Sequence, residues 1–184
     1  MTVKPTALPG VLLIEPRVFR DGRGHFLETW HEARYREAGI AGPFVQDNVS
    51  VSTRGVLRGL HVQNPHPQGK LVGVLEGAVW DVAVDVRPDS PTFRQWVGCT
   101  LSGENGHQLW IPPGFAHGFV VTSERAVFAY KCTDVYRPEA ELTVRWDDPA
   151  LGIAWPVEAP ELSAKDAAAP LLGEIGADRL RIGG

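Results

Sequence analysis

The feature that most restricts the fold is the alternation of apolar and polar side chains in short segments bounded by Gly, Pro, Asn and Asp. Residues 78–86 (AVWDVAVDV) place one Trp and three Val on one face and two Asp on the other, which is the two-residue period of a β-strand. Residues 127–133 and 141–146 alternate similarly, and residues 69–77 and 108–114 are further strand candidates. Many short strands separated by such turn-forming residues predict an all-β sandwich or barrel.

Two segments carry helix signals. Residues 29–40 have Thr29 as a candidate N-cap and Gly39 as a stop. Residues 162–172 have Ser163 as a candidate N-cap, with a proline near the end. We therefore expect only a few short helices at the periphery of the strands.

The length of 184 residues suits one domain with a sizeable core. No internal repeat, low-complexity tract or linker divides the chain. We expect a single domain over residues 1–184, with a core of about 10–172 and a short, loosely held C-terminal tail.

Charge and composition argue against several classes of protein. The net charge of −4 does not indicate a nucleic-acid binder, and the apolar runs are far shorter than the ~20 residues of a membrane span. The first ten residues lack the apolar core of a signal peptide. Cys99 and Cys132 are too few for a disulfide framework, so we expect free thiols in a cytoplasmic protein.

Two short motifs resemble those of cupin-type antiparallel barrels (jelly rolls). The segment GHQLWIPPGFAH, which ends at His117, satisfies Gly-x5-Pro-x-Gly-x2-His, but GVLRGLHVQ has only His61 of the other motif, with Gln63 in place of a second histidine. A catalytic metal usually needs three protein ligands, and the ammonium of Lys70 would repel a cation. We therefore expect a site with no metal or other cofactor, built for acid/base chemistry.

Nine segments, in a consistent order from about residue 10 to 172, resemble the dTDP-4-dehydrorhamnose 3,5-epimerase family. They are FRDGRGHFLE (19–28), QDNVSVS (46–52), GVLRGLH (55–61), QGKLV (68–72), DVAVDVRPDSPTF (81–93), LWIPPGFAHGF (109–119), YKCTDVYRPEAE (130–141), WDDPALGIAWP (146–156) and LSAKD (162–166). The resemblance implies an isomerase that is homodimeric with shared strands. Its substrate would be a dTDP-linked 4-keto-6-deoxy sugar, inverted at C3 and C5 on the way to L-rhamnose.

This chemistry requires a base, an oxyanion stabiliser and an acid on the opposite face of the sugar, because both carbons flank the C4 ketone. The resemblance implies that His61 is the base and that Asp166 fixes its tautomer. Lys70 is the implied partner of the C4 oxygen, and Tyr130 is the implied acid.

The resemblance also implies a substrate-binding set. Arg23 and Arg58 match positions that bind the diphosphate, where a guanidinium suits phosphate oxygens. Tyr136 matches the aromatic residue that stacks on thymine, and His117 lies in the sugar pocket or has a structural role. The remaining matches to ligand-contacting positions are Glu28, Gln46, Asn48, Glu141 and Lys165.

Strict alternation would put Arg58 and His61 on opposite faces of one strand. Both can serve one pocket only if the strand bulges or twists, for which Gly59 is the obvious place. The sequence departs from the family at Val62, where an aromatic residue is common, and at Gly73, where an arginine is common.

Three other functions stay open from the sequence. The first is a single-centre epimerase that inverts only C3 or C5 of a dTDP-4-keto-6-deoxy sugar in another pathway. The second is a dTDP-sugar 3,4-ketoisomerase, and the third is a cupin that binds a ligand without catalysis. The complete motif set favours epimerisation at both centres, from dTDP-4-dehydro-6-deoxy-D-glucose to dTDP-4-dehydro-L-rhamnose.

Overall fold

The computed structural model describes residues 1–40 and 42–182, and most of their regular structure is β-strand. The strands are β1 (Thr2–Pro5), β2 (Leu12–Glu15), β3 (Val18–Asp21), β4 (Gly24–Leu27), β5 (Gln46–Thr53), β6 (Leu57–Gln63), β7 (Lys70–Glu76), β8 (Ala78–Asp85), β9 (Trp96–Ser102), β10 (Gln108–Ile111), β11 (Phe115–Val121), β12 (Arg125–Cys132) and β13 (Glu141–Thr143). The prediction of an all-β fold is confirmed.

The strands form two large antiparallel sheets and one hairpin. The first sheet has the order β1-β2-β10-β7-β12-β5, the second has the order β13-β6-β11-β8-β9, and β3 pairs with β4. Val72 and Phe128 of the first sheet share a buried cluster with Ala83 and Phe119 of the second. The two sheets therefore face each other across a common interior, as the walls of a barrel do.

Strand β8 is buried on both faces, which its alternating pattern did not indicate. The predicted apolar face packs outward, where Val82 and Val84 contact a cluster that includes Leu172 and Leu180 of the C-terminal segment. The other face, with Asp81, is also fully buried. The segment after β13 covers the second sheet, so the expectation of a loosely held tail is wrong as far as residue 182.

The helices are short and differ from the predicted ones at their ends. Helix α1 (Glu32–Glu37) begins after His31, whose Nδ1 accepts the N–H of Arg34 at 3.5 Å. Thr29 is not the cap, because its carbonyl oxygen accepts hydrogen bonds from the Tyr35 hydroxyl and the Gln108 amide. Tertiary contacts therefore decide where this helix starts.

The C-terminal segment contains α2 (Ala164–Ala167), capped by Ser163 as predicted, and α3 (Ala177–Leu180). Two 3-10 helices complete the set, Pro138–Ala140 and Leu172–Glu174. Helix α2 ends well before Pro170, so the predicted element is shorter than expected. Of the helices described, none is long and apolar enough to cross a membrane.

The loop after β8 is organised by the buried carboxylate of Asp85. It accepts hydrogen bonds from the side chains of Arg87, Ser90 and Thr92. Burial by itself would raise the pKa of Asp85, but these hydrogen bonds lower it to about 2. The ionised carboxylate therefore stabilises this loop at neutral pH.

Candidate active site

A pocket of about 880 Å³ lies between the two sheets. Of the thirteen residues that the sequence nominated, eleven line it: His61, Lys70, Tyr130, Asp166, Gln46, Asn48, Arg58, His117, Tyr136, Glu141 and Lys165. Arg23 and Glu28 do not. The fold thus collects on one surface residues that are up to 120 positions apart in the sequence, from Gln46 to Asp166.

His61 on β6 is paired with Asp166 on α2, and the distance from Nε2 to Oδ1 is 2.7 Å. The hydroxyl of Ser163 accepts the N–H of Asp166 at 3.1 Å, which fixes the turn that carries the carboxylate. Burial would raise the pKa of Asp166, but the hydrogen bond and charge of His61 lower it overall. An ionised Asp166 holds the proton on Nε2 and leaves the lone pair of Nδ1 available as a base.

A bulge brings His61 and Arg58 to the same pocket. On β11 the partners of His61 and Arg58 are His117 and Phe119, so three steps along β6 oppose two steps along β11. Gly59 lies in the extra step with a φ of 130°, and a Cβ there would lie 2.5 Å from the Cα of Gly118. The structure confirms the prediction that the chain bulges at Gly59.

The opposite sheet contributes Lys70 from β7 and Tyr130 from β12. Burial lowers the pKa of Lys70, and burial raises the pKa of Tyr130. Neither the ammonium nor the phenol has a hydrogen-bond partner among the described residues. The amine of Lys70 and the phenolic O–H of Tyr130 therefore lie on the wall opposite His61 and can contact a bound molecule.

His117 forms a second histidine–aspartate pair, which the sequence did not reveal. Its Nε2 lies 2.9 Å from Oδ2 of Asp81 on β8, and Asp81 is 0% exposed. The other carboxylate oxygen, Oδ1, has no hydrogen-bond partner in the described part of the chain. The only signal was that Asp81 is one of two aspartates in an otherwise apolar strand, and its contact depends on the register of β8 against β11.

The side chain of Arg58, near the rim of the pocket, is also held in place. The Nε of Arg58 donates to the hydroxyl of Ser52 at 3.1 Å. Because this bond occupies Nε alone, the terminal nitrogens of the guanidinium can bind an anion. Ser52 is a second residue that the sequence did not single out.

Glu141 links the remaining polar groups at the mouth of the pocket. Lys165 and the Tyr136 hydroxyl both donate to its Oε2, and its Oε1 lies 4.0 Å from Nδ1 of His61. Burial would raise the pKa of Glu141, but the hydrogen bond from Lys165 and nearby positive charge lower it overall. Glu141 is therefore a carboxylate that lies beside the proposed base.

Comparison with known proteins agrees with this arrangement. The family model described as dTDP-4-dehydrorhamnose 3,5-epimerase matches residues 5–174. The chain belongs to this family.

Two curated epimerases illustrate the similarity. The dTDP-4-dehydrorhamnose 3,5-epimerase of Salmonella typhimurium is 56% identical over 177 residues, which cover 95% of this chain and 97% of that protein. The enzyme of that name from Neisseria gonorrhoeae is 55% identical over 169 residues, or 91% of this chain, and the chain spans 52% of its length.

A solved structure gives the same result for the fold. The dTDP-6-deoxy-D-glucose-3,5-epimerase of Legionella pneumophila, in complex with dTDP-4-keto-L-rhamnose, is 54% identical with a TM-score of 0.96. The match covers 100% of this chain and 98% of that one. The predicted cupin-type barrel is confirmed.

The two departures from the family pattern have different surroundings. Val62 is buried in the cluster behind β6 and also lines the pocket. Gly73 lies on the outer face of the first sheet, where a Cβ would lie 3.4 Å from Cγ of Gln108. Only Val62 can shape the pocket of this epimerase family member directly.

Arg23 and Glu28 lie at the hairpin of β3 and β4, away from the pocket. Arg23 is exposed and forms an ion pair with Asp21, and Glu28 forms one with Arg34 at 2.7 Å. Within the described residues of one chain, these two side chains do not join the other eleven.

Proposed function

We propose that this protein is a dTDP-4-dehydrorhamnose 3,5-epimerase, which converts dTDP-4-dehydro-6-deoxy-D-glucose into dTDP-4-dehydro-L-rhamnose. The observation that carries the proposal is the placement of a base and an acid on opposite walls of one pocket. His61, which pairs with Asp166 of α2, lies on the second sheet, and Tyr130 and Lys70 lie on the first. An epimerase needs this geometry, because a proton must leave one face of a carbon and return to the other.

The reaction starts with proton removal next to the C4 ketone. Nδ1 of His61 takes the proton from C3 or C5, and Asp166 stabilises the resulting imidazolium. The electron pair of the C–H bond forms a C=C bond, and the carbonyl oxygen becomes an enolate. The ammonium of Lys70 stabilises that negative charge in a site shielded from water.

The second step returns a proton to the opposite face. The phenol of Tyr130 gives its proton to the carbon, the enolate becomes a ketone again, and the configuration is inverted. Solvent then restores the proton on Tyr130 and removes the one on His61, so the net reaction consumes nothing. Because C3 and C5 flank the same carbonyl, one set of groups serves both centres if the sugar turns between steps. No metal or other cofactor takes part in these steps.

The rest of the pocket suits a nucleoside diphosphate. In this proposal Arg58 binds the diphosphate and the ring of Tyr136 stacks on the thymine base, which is supported by the position of both residues in the pocket lining and by the half-exposed ring of Tyr136. The other pocket-lining polar residues nominated from the sequence are candidates for substrate contacts: Gln46, Asn48, His117, Glu141 and Lys165.

The protein acts as a homodimer in this proposal, with Arg23 and Glu28 reaching the pocket of the partner. Supporting this, Phe26 on the β3–β4 hairpin is 69% exposed and Val49 on the edge strand β5 is 64% exposed. Exposed apolar side chains at a hairpin and a sheet edge are suited to association with a second copy. We also propose one domain over the whole chain and a cytoplasmic location, the latter supported by the two free thiols.

Proton NMR of dTDP-4-keto-6-deoxyglucose with the protein in deuterated water tests the activity. We expect deuterium at both C3 and C5, with both centres inverted. Inversion at one carbon after prolonged incubation would make the protein a single-centre epimerase. A product with the ketone at C3 would make it a ketoisomerase, and binding without exchange would make it a ligand-binding cupin.

Mixing two inactive variants tests the shared site. If Arg23 acts across the interface, a random mixture of Arg23→Ala and His61→Asn protomers regains about a quarter of the native sites. Mixing Arg58→Ala with His61→Asn is the matched control, because both residues lie in one pocket, and no recovery is expected. Absence of recovery in the first mixture would contradict a role for Arg23 in the partner's pocket.

A further inference from the structure

The loop that carries Tyr136 is fastened by side chains rather than by a regular strand. This loop, residues 133–137, joins β12 to the 3-10 helix Pro138–Ala140 and is called here the Tyr136 loop. The Tyr136 side chain is half-exposed, and its described hydrogen bond is the one from its hydroxyl to Glu141. The direction of the ring is therefore set by the backbone beneath it together with this one hydrogen bond.

Gln63 provides the most extensive attachment of that backbone. It is 4% exposed, and its Oε1 accepts the N–H of Arg137 at 2.8 Å. Its Nε2 donates to the carbonyl of Val135 at 3.1 Å and to that of His66 at 2.6 Å. The Gln63 amide thus forms hydrogen bonds to the Tyr136 loop on both sides of Tyr136 and connects it to the neighbouring loop at His66.

Two further glutamines hold the same loop. Gln68, 9% exposed, donates to the carbonyl of Asp134 at 2.7 Å. Oε1 of Gln46 accepts the N–H of Tyr136 itself at 2.7 Å. Each of the four successive residues 134–137 therefore forms a backbone hydrogen bond with a glutamine side chain from elsewhere in the fold.

The position of Gln63 is the one at which the cupin motif would place a second metal-binding histidine. Gln63 lines the pocket, but both hydrogens of its Nε2 are donated to backbone carbonyls and its Oε1 accepts a backbone N–H. An apolar residue of similar size would leave those three backbone groups without their partner.

We propose that Gln63 is a positioning residue for nucleotide recognition, which holds the Tyr136 ring in the orientation that stacks on the base. The inference rests on the proposed function, because it takes the base of a nucleoside diphosphate as the group that Tyr136 contacts. Gln63 acts through Tyr136 and has no part in moving protons. Its loss weakens binding of the nucleotide and leaves the chemical step intact.

Calorimetric titration with dTDP and steady-state kinetics test this on the full-length protein. For Gln63→Met we expect Kd for dTDP and KM for the sugar nucleotide to rise about tenfold, within the range of base–aromatic stacking, with kcat within about a factor of two. Binding of inorganic pyrophosphate, which has no base, should stay unchanged. Gln68→Met, further from His61 along the chain, should shift Kd in the same direction. Gln95→Met replaces an exposed glutamine before β9 and is the control.

A double variant separates this role from a merely structural one. Tyr136→Ala should weaken dTDP binding, and adding Gln63→Met to Tyr136→Ala should weaken it no further. Additive effects in the double variant, or unchanged Kd in both glutamine variants, would overturn the inference and leave the proposed activity standing. If Tyr136→Ala itself binds dTDP normally, base stacking by Tyr136 fails and the inference fails with it. If the wild-type protein binds no dTDP, the proposed function fails.

Discussion

Replacing Gly59 by alanine tests how the bulge in β6 builds the pocket. The new Cβ would lie 2.5 Å from Cα of Gly118 and 2.8 Å from the carbonyl oxygen of His117, where ordinary contacts are 3.4 Å or longer. The φ of 130° adds backbone strain for any residue with a Cβ. Overpacking of a tight contact costs about 1–3 kcal/mol and the strained φ about 1–2 kcal/mol. We expect a loss of about 3 kcal/mol in the free energy of unfolding.

The same change should reduce activity beyond its effect on stability. Relief of the clash moves β6 away from β11, and His61 then leaves the 2.7 Å contact with Asp166. Urea unfolding and kcat, both measured at a temperature where the variant is folded, check the two effects. Gly173→Ala is the control, because no atom lies within 4 Å of its Cβ position, and it should change stability by less than about 0.5 kcal/mol. A Gly59→Ala protein as stable as wild type would refute the steric argument.

Four further outcomes are expected. Asp166→Asn should lower kcat by two or more orders of magnitude, because an amide favours the wrong tautomer of His61; near-normal kinetics would remove Asp166 from the mechanism. His61→Asn should abolish both solvent exchange and turnover, whereas Tyr130→Phe should reduce inversion more than exchange. NMR in deuterated water distinguishes exchange from inversion. Equal loss of exchange in both variants would show that Tyr130 is not simply the acid. Asp85 has a folded pKa of about 2, below its ordinary 3.8. Its ionised form should therefore contribute about 2 kcal/mol of stability above pH 4, and this contribution is lost as the pH falls from 4 to 2. In Asp85→Asn, the free energy of unfolding measured with urea should depend less on pH in that range. Treatment with a chelator should leave kcat unchanged, and activity that tracks bound zinc, iron or nickel would contradict the proposed chemistry.

Local periodicity predicted the strands well, since burial of alternate side chains leaves a direct trace in the sequence. It failed where partners come from distant segments. The start of α1 moved from Thr29 to His31, because the Thr29 carbonyl is engaged by Tyr35 and Gln108. The polar face assigned to β8 is buried because it faces the interior between the sheets, where Asp81 pairs with His117, and the apolar face packs outward under a segment more than 60 residues later.

The site was predicted through family resemblance more than through physics. No local pattern connects His61 to Asp166, which is 105 residues away. The pairing of Asp81 with His117 was missed because it depends on the register of β8 against β11. The contact of Ser52 with Arg58 was missed because it depends on the bulge at Gly59 and on how the two sheets face each other. The bulge itself was predictable, since a glycine lies between Arg58 and His61, two residues that had to face the same pocket.

The C-terminal segment contributes both to the pocket and to the packing of the second sheet. It supplies Asp166, and 14 residues later it supplies Leu180, which is buried against the outer face of the second sheet. Catalytic rate therefore reports whether this segment is docked. If this segment detached locally, activity would be lost while the strands remained paired. Thermal inactivation should therefore precede loss of β-structure. A protease that cuts between β13 and α2 should inactivate the protein.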